Sequence, residues 1–191
     1  GILSKFLGVK NKVFSISGLG YVFISEGILK SILKSFIKQL YRFSLSGDNT
    51  VIIVQNPDDK NLLINLCSIK DSNIVLIKGS GVDLVSYSYK EETNSIPVIV
   101  LASRLLKDKG VYEFCEAAKI ISNKNIEAEF KLVGDIDPGN PATLKQNDLD
   151  NIINDGVVKI CGFSNNISEL FEQSHIIVLP SYREGLPKVL I

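Results

Sequence analysis

The chain is 191 residues long, enough for one full domain and part of a second. Hydrophobic residues make up 45% and charged residues 22%, a globular composition that argues against a disordered chain. Twenty-one basic residues balance twenty-one acidic ones, so no global charge draws the chain to nucleic acid or to an anionic bilayer.

Lys12 to Ser17 is partly β-branched and aromatic and runs into Gly18-Leu19-Gly20, which predicts a strand and then a tight turn. From Ser25 to Phe43, apolar residues such as Ile28, Ile32, Phe36 and Leu40 recur at three- and four-residue spacings, the pattern of a helix. Thr50 to Val54 reads as a short apolar strand. A turn at Gln55-Asn56-Pro57-Asp58 opens a helix ending near Cys67, and Asn73 to Ile77 reads as a buried strand closed by Gly79-Ser80-Gly81. From about Ser86 to Ser95 the chain turns polar, as a linker would. This predicts two domains, 1–85 and 96–191, joined through 86–95.

After the linker the alternation restarts. Strands are expected at Pro97 to Ala102, Glu127 to Val133, Val157 to Ile160 and His175 to Leu179. Helices are expected at Gly110 to Ser122, near Leu144 to Asn154 and near Ile167 to Gln173, with a Gly, Pro and Asn-rich loop running to Pro141. Strands separated by helices of this length predict an α/β fold, with two Rossmann-like units built on parallel sheets.

Cys67, Cys115 and Cys161 are odd in number, far apart and without metal-ligand spacing. They argue against a disulfide framework or a zinc site and for a reducing, cytoplasmic compartment. No apolar run reaches the roughly 18 residues of a membrane-spanning helix, and no secretory signal stands at the front. The absence of Met and the apolar end at Val189-Leu190-Ile191 make the chain read as an internal fragment of a longer protein.

In parallel sheets ligands sit beyond the carboxyl ends of the strands, where helix N-termini point. Arg104 and Lys109 follow the first strand of the second domain and precede a helix, a setting that suits a diphosphate and equally a solvated basic loop. Glu184 follows the last strand and is followed by Gly185 and Pro187. Its carboxylate there would accept hydrogen bonds from sugar hydroxyls, or would close a capping box with Ser181.

Together these segments are more specific than either alone. The order strand, Arg104-Leu105 and Lys109-Gly110, helix, then Val133-Gly134, then Gly162-Phe163, then Leu179-Pro180-Ser181 and Glu184-Gly185 closely resembles the retaining GT-B glycosyltransferases of family four. The stretch from Leu179 to Val189 most resembles enzymes that build bacterial surface polysaccharides from nucleotide-activated sugars. The resemblance is strong over Val98 to Ile191 and weaker over Val13 to Asp83. It implies two Rossmann-like domains, an acceptor-side domain at 1–85 and a nucleotide-sugar domain at 96–191, both incomplete here. It implies that Arg104 and Lys109 hold the donor diphosphate and that Glu184, as the catalytic residue, contacts the transferred sugar. A second glutamate of the family's pattern would lie just past Ile191. Gly134 would line the donor pocket, Gly162 and Phe163 would sit near the base, and backbone groups of Gly185 and Leu186 near the phosphates.

The expected activity is therefore transfer of a hexose, with retention and without metal, from a UDP-sugar to a glycan or polyprenyl-linked acceptor. With both domains incomplete, the chain by itself is expected not to turn over. An epimerase of the same fold and a non-catalytic nucleotide-sugar-binding remnant are the alternatives. No cofactor is expected.

Three signals are set aside. Asp135-Ile136-Asp137 spells the D-x-D of metal-dependent transferases, but it opens a loop of turn formers and the diphosphate already has cationic partners. His175, the single histidine, begins a strand with apolar neighbours and reads as structural. Gly18-Leu19-Gly20 lacks the third glycine of a dinucleotide fingerprint. Lys30, Lys34, Lys38 and Arg42 recur every four residues beside a wide apolar face. That stripe suits contact with anionic lipid at the inner face of the membrane, or an ordinary surface helix packed on its own sheet.

Overall fold

The computed structural model describes residues 1–19, 28–92 and 95–191, and the side chains of 28–32 lie outside that description. Gly20, the expected start of the first long helix and the Lys30 side chain therefore fall outside it, as do Thr93 and Asn94 of the polar segment. Contacts divide the chain into two compact units, Gly1–Gly81 with Glu184–Pro187, and Val82–Arg183 with Lys188–Ile191.

The first unit runs α1 (Ile2–Phe6), β1 (Lys12–Ile16), α2 (Ile28–Leu45), β2 (Thr50–Val54), α3 (Pro57–Cys67) and β3 (Ile74–Leu76). Its three strands are parallel in the order β1-β2-β3, with Phe14 opposite Ile52 and Ile52 opposite Ile74. Two crossovers of one hand that step the same way along a sheet put their helices on one face. The core follows that rule: Ile52, Val54 and Ile74 pack with Leu45 of α2 and with Leu63 and Cys67 of α3. On the opposite face the strand alternation leaves Val13, Val51 and Val75 exposed, Val13 by 68%. The start of α3 is fixed locally. Asn56 accepts the Asp59 N–H at 2.7 Å while its amide donates to the buried Asp59 carboxylate at 2.9 Å, and Pro57 takes the first helical position.

The second unit runs β4 (Val98–Ala102), α4 (Val111–Asn123), β5 (Glu129–Val133), α5 (Gln146–Asp155), β6 (Val158–Gly162), α6 (Ile167–Glu172) and β7 (Ile176–Ile177). All strand pairs are parallel and the sheet order is β6-β5-β4-β7. Its core joins Ile99, Leu101, Phe130 and Leu132 of the sheet to Phe114 and Ala118 of α4 and Ile152 of α5. Phe114 and Phe130 meet edge to face with centroids 5.7 Å apart.

The structure corrects several expectations. α1 was not foreseen, its five residues being too short for a periodic signal. The last strand, at Ile176–Ile177, is shorter than 175–179 and half-exposed, and among the described residues it pairs with β4 alone. Its ladder continues past the strand, with His175 N–H donating to Val98 C=O at 2.9 Å and Val178 N–H to Val100 C=O at 2.8 Å. After Pro187 the chain makes a 3-10 turn at Lys188–Leu190. Residues 82–92 group with the second unit, where the Tyr87 and Phe171 rings lie tilted to each other with centroids 6.4 Å apart and Lys90 pairs with Glu172.

Candidate functional site

The chain order β4, β5, β6 steps one way across the second sheet, and β7 then returns to the other side of β4. That reversal is a topological switch point, and open parallel sheets bind ligands outside the carboxyl ends of the strands at such points. The residues that leave β4 there are Ser103 and Arg104, and those that leave β7 lead to Pro180 and Ser181.

The strand ends are laced together by backbone hydrogen bonds. Ser103 N–H donates to Val133 C=O at 3.0 Å, Gly134 N–H to Gly162 C=O at 2.8 Å and Leu105 N–H to Asp135 C=O at 2.9 Å. Gly134 has φ +134°, and a Cβ there would fall 1.8 Å from the Ser103 carbonyl oxygen, so only glycine permits this approach. Arg104, Gly134 and Gly162 are thus brought together at three adjacent strand ends. Phe163 follows Gly162 but is exposed.

Lys109 closes a 3-10 turn at Lys107–Lys109, and Gly110, at φ +74°, starts α4 without a side-chain cap. The first-turn amides of α4 therefore carry the positive end of a 13-residue helix with no capping oxygen from Gly110. The segment after β7 lies against this helix start. Tyr182 N–H donates to Asp108 C=O at 3.0 Å, and the Tyr182 hydroxyl donates to the Glu113 carboxylate, which holds the phenol pKa above its ordinary value. Ser181 Oγ is buried with no hydrogen-bond partner among the described residues, so it is not seen capping as in an S-x-x-E box.

Arg104 Nη1 donates to Asp137 Oδ2 at 2.7 Å, with the arginine side chain 61% exposed and the aspartate 32%. The second carboxylate of the D-x-D is therefore engaged with a guanidinium. Among the described residues no three His, Cys, Asp or Glu side chains group as metal ligands would. His175 Nδ1 accepts the Val98 N–H at 3.1 Å, a structural use of the ring at the start of β4.

Glu184, Gly185 and Leu186 belong by contact to the first unit. A Cβ on Gly185 would lie 2.2 Å from the carbonyl oxygen of Ser17 and 3.0 Å from Gln55 Oε1, and one on Gly79 would lie 2.7 Å from Leu186 Cδ2. These neighbours follow β1, β2 and β3, so the segment sits at the carboxyl ends of that sheet. On α2, Lys34 and Lys38 are half-buried and Arg42 is exposed, beside exposed Phe36 and Phe43. Asp137 as the partner of Arg104, and the bond from Tyr182 to Glu113, were not foreseen. Asp137 stood out as part of the D-x-D, but nothing in the sequence paired it with Arg104, and the Tyr182 bond had no signal.

Residues 96–191, half of the chain, match the family model described as glycosyl transferases group 1. The chain belongs to that family. This group 1 chain is 31% identical over 201 residues to the N,N'-diacetylbacillosaminyl-diphospho-undecaprenol alpha-1,3-N-acetylgalactosaminyltransferase of Campylobacter jejuni, a match covering 98% of the chain and 51% of the relative. It is 26% identical over 203 residues to the UDP-Gal:alpha-D-GlcNAc-diphosphoundecaprenol alpha-1,3-galactosyltransferase of Escherichia coli, covering 100% of the chain and 50% of the relative. The chain thus spans about half the length of these curated relatives. Among solved structures it superposes on Anabaena HepE in complex with UDP and glucose with a TM-score of 0.69 at 14% identity, over 96% of this chain and 50% of that one. It also superposes on WaaG, a glycosyltransferase involved in lipopolysaccharide biosynthesis, with a TM-score of 0.70 at 16% identity, over 95% and 54%. At these identities the likeness establishes the fold, that of GT-B proteins built from Rossmann-like units. None of these relatives supports an epimerase.

Proposed function

We propose that this group 1 chain serves glycosyl transfer from a UDP-sugar to a polyprenyl-diphosphate-linked acceptor in bacterial polysaccharide synthesis. The observation that carries the reading is Arg104 at the switch point, on the loop that leads through the Lys107–Lys109 turn to the side-chain-uncapped start of α4. Arg104 and Lys109 neutralise the charge that grows on the leaving diphosphate, helped by the α4 dipole. Gly134 lines the donor pocket, Gly162 and Phe163 lie toward the base, and amides of Gly185 and Leu186 toward the phosphates. Glu184 accepts hydroxyl hydrogen bonds from the transferred sugar and orients it for attack.

On this reading transfer proceeds with retention and without a metal, since cationic groups take the place of a divalent ion on the diphosphate. Residues 1–85 serve the acceptor, 96–191 the donor, and 86–95 join them. Acceptors on a polyprenyl chain place the reaction at the cytoplasmic face of a membrane, where Lys30, Lys34, Lys38 and Arg42 meet anionic lipid. Among the described residues no helix is long and apolar enough to cross a membrane.

The test is calorimetric titration of the chain with UDP, GDP and ADP. Binding of UDP in preference to the other two, weakened by Arg104→Ala, is expected. Equal affinity for all three, or UDP binding untouched by Arg104→Ala, overturns the donor assignment.

A further inference from the structure

We infer that Asp137 is a positioning residue that holds the Arg104 guanidinium in place for the donor diphosphate. The inference rests on the donor reading above and deepens it.

The loop that carries Asp137 is fastened along the loop that carries Arg104. Leu105 N–H donates to Asp135 C=O, Lys107 N–H to Ala142 C=O and Leu144 N–H to Leu105 C=O, each at 2.9 Å. Leu106 and Thr143 form an antiparallel bridge between these contacts. Asp137 is fixed at its own backbone as well: its N–H donates to Thr143 Oγ1 at 2.9 Å, and its C=O accepts the Asn140 N–H at 2.9 Å. A carboxylate held this firmly, 2.7 Å from Nη1, restrains a side chain that is otherwise largely in solvent.

An exposed arginine loses rotamer entropy when it grips an anion, and a guanidinium ordered beforehand loses less. The ion pair engages Nη1, while a guanidinium carries five N–H donors, so the pair leaves capacity to bind phosphate oxygens. The opposing effect is repulsion between the Asp137 carboxylate and the diphosphate. Solvent screening at this exposure weakens that repulsion and the Coulombic part of the ion pair alike, and what remains at 2.7 Å is a directional hydrogen bond that orients the guanidinium. Restraint is therefore the dominant effect, and it fixes the sign of the outcome.

The experiment titrates the 191-residue chain with UDP by calorimetry and follows the melting temperature of each variant. Asp137→Ala is expected to weaken UDP three- to tenfold, and Asp137→Asn, which keeps an acceptor oxygen, to recover part of that loss. In an Arg104→Ala background, Asp137→Ala is expected to change nothing, a result that a general loss of structure would not give. Tighter UDP binding by Asp137→Ala would show the carboxylate competing with the ligand and overturn the inference. An equal loss with and without Arg104 would also overturn it, by assigning Asp137 to loop stability. If Arg104→Ala weakens UDP and Asp137→Ala does not, the positioning role fails and the donor reading stands. If the chain shows no UDP binding, or Arg104→Ala leaves it unchanged, both fail together.

Discussion

Gly110 and Pro180 meet so closely that a Cβ at position 110 would fall 2.4 Å from the Pro180 carbonyl oxygen. The start of α4 and the segment leaving β7 are thereby held against each other by the absence of one methyl group. Both flank the switch point, so the contact fixes the spacing on which any ligand there depends.

Gly110→Ala is accordingly expected to destabilise the second unit more than Gly156→Ala does. The two glycines have nearly equal φ, +74° and +68°, but only Gly156 faces open space. The left-handed backbone costs a non-glycine residue about 1–2 kcal/mol in either case. Overpacking against Pro180 adds roughly 1–3 kcal/mol at position 110 alone. Urea denaturation of the two variants reads the difference, and equal losses would contradict the packing argument.

Replacing Arg104 or Lys109 with Ala is expected to weaken nucleotide diphosphate binding by roughly 1–3 kcal/mol each, the range of charge-assisted hydrogen bonds. Calorimetry with UDP measures it. Unchanged affinity in both variants would remove the diphosphate from this site.

UDP binding is expected to survive excess chelator, and Asp135→Ala is expected to be mild. Loss of binding in chelator with specific restoration by Mn²⁺ or Mg²⁺ would return the D-x-D to a metal role. Asp137 would then have to exchange Arg104 for the ion.

Burial pushes the Cys115 thiol from an ordinary value near 9 up to about 11. A folded-state value raised above the unfolded one gives stability that is intact below about pH 9 and lost as the pH climbs toward about 11. The second unit should therefore weaken across that window, and Cys115→Ala should flatten the dependence. Denaturation midpoints from pH 8 upward test it. In the folded chain at neutral pH, an aromatic disulfide reagent should modify the exposed Cys161 first, with Cys67 and Cys115 protected by burial.

Local pattern made much of this fold legible. Thr50 to Val54 is strand in both readings because an apolar run of β-branched residues between turn formers has few alternatives. The helix from Val111 was visible in the spacing of Phe114, Cys115 and Ala118, all of which are buried. Sheet order was not legible. Periodicity assigns residues to faces but does not name a strand's neighbour, so the return of β7 to β4, and with it the switch point, is set by tertiary packing alone. The site was half legible for the same reason. Arg104, Gly134 and Gly162 were found as strand-end residues, whereas the Asp137 partner of Arg104 lies across a loop. No spacing rule connects a guanidinium to a carboxylate on another loop.

The bare face of the first sheet, with Val13, Val51 and Val75 open to solvent, also has a calorimetric consequence. Unfolding raises heat capacity by about 12–15 cal/mol/K per residue because apolar surface passes from a dry interior into water. On β1 to β3 one face is hydrated before unfolding begins and contributes little to that change. The first unit should therefore show a smaller heat-capacity increment per residue than the usual range, and a correspondingly flatter stability curve with temperature.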